Sequence, residues 1–283
     1  VKQISTHDPF RITGPAVVNF SGGRTSGYML WRILQAHGET LPDDVLVCFA
    51  NTGREMPATL DFVRECGARW NAPIVWLEYA RGPAGPICVV VNYNSASRNG
   101  EPLTALFASK AVLPNPVARF CTIEAKIRTT KRYLRGLGWE HWTSIVGLRA
   151  DEPKRVERAL DHERTKKDRW HNALPLSEAG VDQAEVFAFW KRHPFDLRLA
   201  GPWEGNCDGC FLKNRAALER MWKDHPDRMA WWTAQEAVPR GAGRGANFRA
   251  DREDYATMAR TVRDQGCLPF DINEPTLPCD MAA

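Results

Sequence analysis

Short β-branched and aromatic runs alternate with amphipathic stretches through the first half of the chain, and this alternation narrows the fold more than any other feature. Ala16 to Phe20, Val45 to Phe49, Pro73 to Tyr79 and Thr143 to Leu148 read as strands bounded by turn signals. Helical patterns occupy Ser26 to Ala36, Pro57 to Trp70 and Ile123 to Leu137. Pro57 suits a helix start, where its missing N–H costs little. Strands separated by helices need crossover connections, which make the strands parallel and put helices on the sheet faces. The expected fold is α/β, a parallel sheet flanked by helices.

Arg81 to Pro116 is rich in small polar residues and reads as a long loop carrying one helix at Leu103 to Ala111. Beyond Asn172 the texture changes. Val181 to Arg192, Leu212 to Lys223 and Arg252 to Asp264 pattern as helices, between glycine-rich irregular stretches. The expected organisation is an α/β core over 1–180 and a helical, cysteine-bearing cap over 181–283. No apolar run approaches the ~18 residues of a membrane span, and Val1 to Thr13 lacks the apolar segment of a secretory signal. The expectation is a cytoplasmic protein without a membrane partner. A net charge of +4 does not by itself argue for nucleic acid and is compatible with a phosphate-rich small substrate. Of the tryptophans, Trp231 and Trp232 are candidates for a surface.

The strongest local signal is Val17-Val18-Asn19-Phe20-Ser21-Gly22-Gly23-Arg24-Thr25-Ser26-Gly27. An apolar strand runs straight into a glycine turn, and a helical pattern follows. Such a turn points backbone N–H groups into one concavity, and the helix adds its positive end. Ser21 and Ser26 can donate hydroxyls to phosphate, and Arg24 can add charge. The competing reading is a plain helix N-cap preceded by a glycine turn. It is not a Walker A loop, because no Gly-Lys-Ser/Thr follows. Asn51-Thr52-Gly53-Arg54-Glu55 and Val146-Gly147-Leu148-Arg149 also follow expected strands. Ligands of open α/β sheets bind beyond the carboxyl ends of the strands, so all three segments should line one rim. Asn51 and Thr52 can bond ribose or adenine there. Arg149 and Arg155 can neutralise pyrophosphate, unless Asp151, Glu152 and Glu157 make them a solvated ion-paired face.

Of eight cysteines, Cys207 and Cys210 form a Cys-x-x-Cys knuckle with Gly209 at its turn. Without an export signal a disulfide framework explains them poorly. A metal centre, a dithiol redox pair and coincidence are the alternatives. Cys121, at a helix head beside Arg119 and Lys126, suits a thiolate ligand, and Cys279 near the C-terminus is the expected fourth, with Cys267 competing. Zinc and a [4Fe–4S] cluster both accept such a set. Cys48, Cys66 and Cys88 read as core thiols.

The Ser-Gly-Gly segment resembles the pyrophosphate loop of the PP-loop ATP pyrophosphatase superfamily, with its adenine nucleotide alpha hydrolase-like fold. Asn51-Thr52-Gly53 is similar to the Asp-Thr-Gly segment of phosphoadenosine phosphosulfate (PAPS) reductases. Gly147-Leu148-Arg149, with Arg155 and Arg158 beyond, resembles their Gly-x-Arg segment. Cys121 followed by Lys126 resembles their Cys-Cys…Lys segment with one cysteine replaced. The resemblance implies an ATP-binding, or PAPS- or adenosine phosphosulfate-binding, enzyme. Its nucleotide site would comprise Ser21, Gly22, Gly23, Arg24, Thr25, Ser26, Asn51, Thr52, Gly53, Gly147 and Arg149, with magnesium, and Arg149, Lys126 and Arg155 would be catalytic. It also favours a [4Fe–4S] cluster over zinc on Cys121, Cys207, Cys210 and Cys279.

Two departures redirect the expected activity. The Glu-Cys-Gly nucleophile segment of sulfonucleotide reductases is absent, the tail reading Pro278-Cys279-Asp280-Met281. Thr25 stands where ATP pyrophosphatases usually carry aspartate. The balance resembles the PAPS-reductase-like proteins of DNA phosphorothioation and tRNA thiolation. It implies adenylation of an acceptor, nucleic acid included, followed by sulfur insertion, with a cysteine desulfurase as sulfur source. Sulfonucleotide reduction to sulfite, and a non-enzymatic nucleotide- or nucleic-acid-binding module with structural zinc, are the alternatives. Lys126, Arg128, Lys131, Arg132 and Arg135 form a basic helical stretch suited to a phosphate backbone or to plain solvation.

Overall fold

The computed structural model describes residues 8–164, 170–240 and 246–265. At its centre is β1 (Ala16–Asn19), whose first three residues are buried, as a strand covered on both faces must be. β1 pairs in parallel with β2 (Val45–Asn51) on one side and β5 (Trp142–Ile145) on the other. β3 (Ile74–Gly82) and β6 (Trp170–Ala173) extend the parallel sheet at either end. The full order is β4-β3-β2-β1-β5-β6. Without β4 this is the doubly wound order, which reverses direction between β1 and β5. The α/β class read from the alternation is the class observed.

The connecting helices are α1 (Arg24–Ala36), α2 (Pro57–Arg69), α3 (Glu101–Lys110) and the run α4 (Phe120–Thr122) to α5 (Arg128–Gly136). α6 (Pro153–Arg164) and the short α7 (Pro175–Glu178) flank β6. Then come α8 (Gln183–Arg192), α9 (Arg215–Asp224), α10 (Pro226–Ala237) and α11 (Tyr255–Gln265). Among the described residues no helix is long and apolar enough to cross a membrane.

Three differences from the sequence reading have physical causes. The stretch after Arg81 is not a loop: Gly82 to Gly85 turns the chain back, and β4 (Gly85–Val91) pairs antiparallel with β3, Tyr79 opposite Cys88. Cys88 is consequently half-exposed on an edge strand rather than a core thiol, whereas Cys48 and Cys66 are buried. The helix expected over Ile123 to Leu137 contains a π-turn at Ile123–Ile127, a feature frequent at functional sites. Trp232 is buried, and its indole donates to Asp208.

Two apolar clusters organise the interior. The larger joins Val18, Phe20, Val47 and Phe49 of the sheet to Leu30 and Phe62 of the helices. It also takes in Trp190, Phe195 and Leu197, so α8 and the segment after it pack on the sheet layer. Trp190 fits against Gly27, where a Cβ would lie 2.8 Å from its ring, and its indole donates to the Arg24 carbonyl at 2.9 Å. The second cluster gathers Leu106, Phe211, Trp232, Phe248 and Tyr255, with Cys121 and Cys207 packed against it.

Candidate nucleotide site

The chain leaves β1 through Ser21, Gly22 and Gly23 and enters α1 directly. Gly22 has φ +78°, and a Cβ there would meet Thr59 Cγ2 at 2.7 Å, so only glycine fits the turn. Ser26 Oγ donates to the Gly23 carbonyl at 2.9 Å and accepts from Ser21 N at 3.2 Å. Ser21 Oγ donates to Ser26 Oγ at 2.9 Å. The two serines therefore brace the loop. No side chain caps α1, which leaves its first-turn N–H groups directed at the space beyond the sheet. Asn19 ties the ends of β1 and β5 together, donating to Ser144 Oγ at 2.9 Å and to the Ile145 carbonyl at 3.1 Å.

That space is a cleft of about 360 Å³ at the point where strand order reverses. Residues Ser21 to Ser26 form one rim, and Val146 to Arg149 the facing one. Lys126 and Arg155 also line it. Lys126 projects from the π-turn, with Nζ 3.8 Å from Glu55 Oε1. Arg149 donates to Thr25 Oγ1 at 3.2 Å and pairs with Asp151 at 2.8 Å. Glu152 is bonded by the Arg149 backbone N–H at 3.1 Å and by the Arg155 guanidinium. Cations from three separate elements thus face one concavity, each held by a carboxylate or hydroxyl.

The other expected site residues are placed differently. Asn51 is fully buried, and its amide donates to Glu78 at 2.5 Å and to the Ser97 carbonyl at 2.9 Å. Thr52 gives its N–H and its hydroxyl to Glu55, at 2.9 and 2.8 Å. Gly53, with φ +77°, packs against the Gly100 backbone. These residues frame the site from behind and do not line it. The Arg24 guanidinium turns away from the loop and grips both oxygens of Asp196, at 2.7 and 2.9 Å. Glu55 and Glu152 also line the wall, and residues that the sequence reading did not single out complete it: Thr59, Phe187, Leu197, Leu199, Gly205 and Asn206. For Phe187 a signal existed, a large aromatic off the buried flank of α8 that Val186 and Trp190 occupy.

The Cys-x-x-Cys knuckle is fastened to the rear of this cleft. Glu55 and Cys207 form an isolated antiparallel bridge, and Asp208 N donates to the Arg54 carbonyl at 2.9 Å. The Cys207 sulfur lies 3.4 Å from Thr52 Oγ1. Burial, reinforced by Glu55, pushes the Cys207 thiol up, with Lys126 opposing. Buried Lys213 donates to the Trp203 carbonyl at 2.6 Å and also to that of Gly205. Burial lowers its ammonium, and the nearby thiols and carboxylates counter that. Cys121 packs half-buried on the same apolar cluster as the knuckle. Cys279, and its competitor Cys267, lie outside the described residues. Among the described residues no group of three or more His, Cys, Asp or Glu side chains is arranged to hold a metal ion.

The basic stretch is largely committed to internal pairing. Lys110, Arg128 and Arg132 converge on buried Glu124, at 3.3, 2.7 and 3.2 Å. Lys131 sits over the Trp170 ring.

No protein-family model matches the chain. Among solved structures it is similar to the PAPS reductase of Candida auris in its phosphate complex, at 17% identity and a TM-score of 0.40, over 66% of this chain and 79% of that one. It is also similar to the U34-tRNA thiolase NcsA of Methanococcus maripaludis with its [4Fe-4S] cluster. That match has 13% identity and a TM-score of 0.44, over 89% of this chain and 82% of that one. A much nearer match is the uncharacterized nin region protein ORF290 of Escherichia phage lambda, 31% identical over 214 residues, or 74% of this chain and 69% of the phage protein. The chain belongs to the family of that lambda nin region protein.

Proposed function

We propose that this chain binds an adenine nucleotide in the cleft between Ser21–Ser26 and Val146–Arg149, cleaves ATP between its α and β phosphates, and transfers the adenylyl group to an acceptor that then receives sulfur. One observation carries the reading: the uncapped start of α1, Lys126, Arg149 and Arg155 converge on a single cleft at the switch point of the sheet. Attack of an acceptor oxygen on the α-phosphorus breaks the bond to the bridging oxygen, and pyrophosphate leaves with the developing charge. The α1 amides and the three cations stabilise that charge as it forms. Glu152 and Asp151 pair with Arg149 and Arg155, and phosphate oxygens would replace those carboxylates.

The sulfur step is supported by position. Cys207 follows Asn206, which lines the cleft, and is bridged to Glu55, which also lines it. A centre on Cys121, Cys207, Cys210 and Cys279, [4Fe–4S] or zinc, belongs to the same proposal, as does a nucleic-acid acceptor. The acceptor's new bond to sulfur forms as AMP departs from it, and an iron–sulfur centre, when bound, would supply that sulfide. Anaerobic purification followed by iron, sulfide and zinc analysis tests that part.

The experiment that tests the whole is product analysis. Pyrophosphate release from ATP is expected, falling about 10²-fold or more in Lys126→Ala or Arg149→Ala if each cation stabilises the leaving group. Sulfite release from PAPS without pyrophosphate would replace this reading by sulfonucleotide reduction. Neither product, with nucleotide still bound, would reduce the site to a binding module.

A further inference from the structure

The cleft has two chemically distinct halves. One carries the α1 amides and the cations. The other is apolar, formed by Phe187 of α8 with Leu197 and Leu199 of the segment that follows. Phe187 is 48% exposed. A single exposed apolar residue is unremarkable, but this one lies on a polar cleft and is held in place by the phosphate loop itself. The Arg24 guanidinium lies over the Phe187 ring, 5.7 Å from its centroid. The same guanidinium clamps Asp196 through both carboxylate oxygens and donates to the Leu197 carbonyl at 2.8 Å. Arg24 is the first residue of α1, so any ligand seated on the loop meets the apolar wall at a fixed offset.

We infer that Phe187, Leu197 and Leu199 form the platform on which the aromatic base of the nucleotide stacks, and that Arg24 is a positioning residue for this platform. The inference rests on the proposed nucleotide-binding reading and assigns its base subsite. The alternative donors are already satisfied. The Asn51 amide is spent on Glu78 and Ser97, and the Thr52 hydroxyl on Glu55, all within the buried frame. A base has no access to them without breaking that frame. The apolar wall demands nothing but a flat, desolvated ring, which stacking on an aromatic side chain rewards for any base.

Calorimetry with two probes, ATP and inorganic tripolyphosphate, tests the assignment on the full chain. Phe187→Ala should weaken ATP about tenfold, within the range of base–aromatic stacking, and leave tripolyphosphate within about twofold. Phe187→Trp should keep ATP binding, a rescue that a merely structural role would not show. Asp196→Asn loosens the clamp without touching the phosphate rim, so ATP should weaken and tripolyphosphate should not. Equal loss of both probes in Phe187→Ala would overturn the platform, because the damage would then be to the fold or the phosphate site. Unchanged ATP affinity in Phe187→Ala would overturn it too, while leaving nucleotide binding intact. A wild-type chain that binds neither probe would remove the nucleotide reading and the platform with it.

Discussion

Asp208 offers the most demanding test of how the knuckle is attached to the core. Its carboxylate is fully buried and accepts from Arg54 Nε at 3.2 Å, Trp232 Nε1 at 2.7 Å and its neighbour Gly209 N at 2.8 Å. Arg54 Nη2 and Arg228 Nε lie at 2.5 and 2.8 Å. Arg54, 3% exposed, has no route to water if its counterion goes. Asp208→Asn keeps the shape and removes the charge. Breaking a buried pair from one side costs about 3–5 kcal/mol, roughly 6–20 °C in Tm at about 2–4 °C per kcal/mol for domains near this size. Urea titration and thermal melts of wild type and variant would measure it. The double change Arg54→Met with Asp208→Leu removes the two fully buried charges, leaves the more exposed Arg228 to the Glu55 carbonyl and to water, and should recover more than half of the loss. A loss below about 1 kcal/mol in Asp208→Asn, or a double variant no better than the single, would refute the argument from an uncompensated buried cation.

Three further outcomes are expected. Gly22→Ala forces a side chain into positive φ against Thr59, at about 1–2 kcal/mol for the backbone plus about 1–3 for overpacking; Gly23→Ala, whose Cβ meets nothing nearer than Ser21 Oγ at 3.7 Å, should melt within a degree or two of wild type. For Glu124, burial works to raise the carboxyl, but Arg132, Lys110 and Arg128 outweigh it and hold it below its usual 4.5. Its contribution is therefore complete above that value and lost as pH falls through the lower folded value. The stability gap between wild type and Glu124→Gln should hold constant from pH 7 to about pH 5 and shrink below that toward pH 3, and a gap that does not change with pH would contradict the ion-pair account. Burial pushes the Cys48 thiol up to about 12 and Cys66 higher still, so mass spectrometry after iodoacetamide at pH 8 should find both unmodified in the folded chain and both alkylated in urea.

Local chemistry accounts for which features could be read without coordinates. A four- to seven-residue apolar run between turn signals has few alternatives to a buried strand, so β1, β2, β3 and β5 were expected close to where they lie. The Ser-Gly-Gly turn was legible because a positive φ at Gly22 admits almost no other residue. β4 escaped because its apolar run sits among glycines and prolines, and its pairing with β3 is a tertiary event. α6 and α10 are not among the helices read from the pattern, although each begins at a proline suited to a first helical turn. Asn51 and Thr52 depend on the fold in another way. Polar residues after a strand look ready for a ligand, and only the fold reveals that Glu78 and Glu55 have already taken their donors.

Sequence alone thus determined the α/β class, the glycine turn after β1 and the identity of the cations, because period, glycine placement and charge are properties of short segments. Tertiary structure alone decided which cations share a cleft, since Lys126, Arg149 and Arg155 lie on separate elements and meet only through the parallel order around β1. It also decided that Arg24 serves the apolar wall, a contact spanning 172 residues to Asp196. A side chain's charge is written in the sequence, but its partner depends on which segments the sheet brings within a few ångströms.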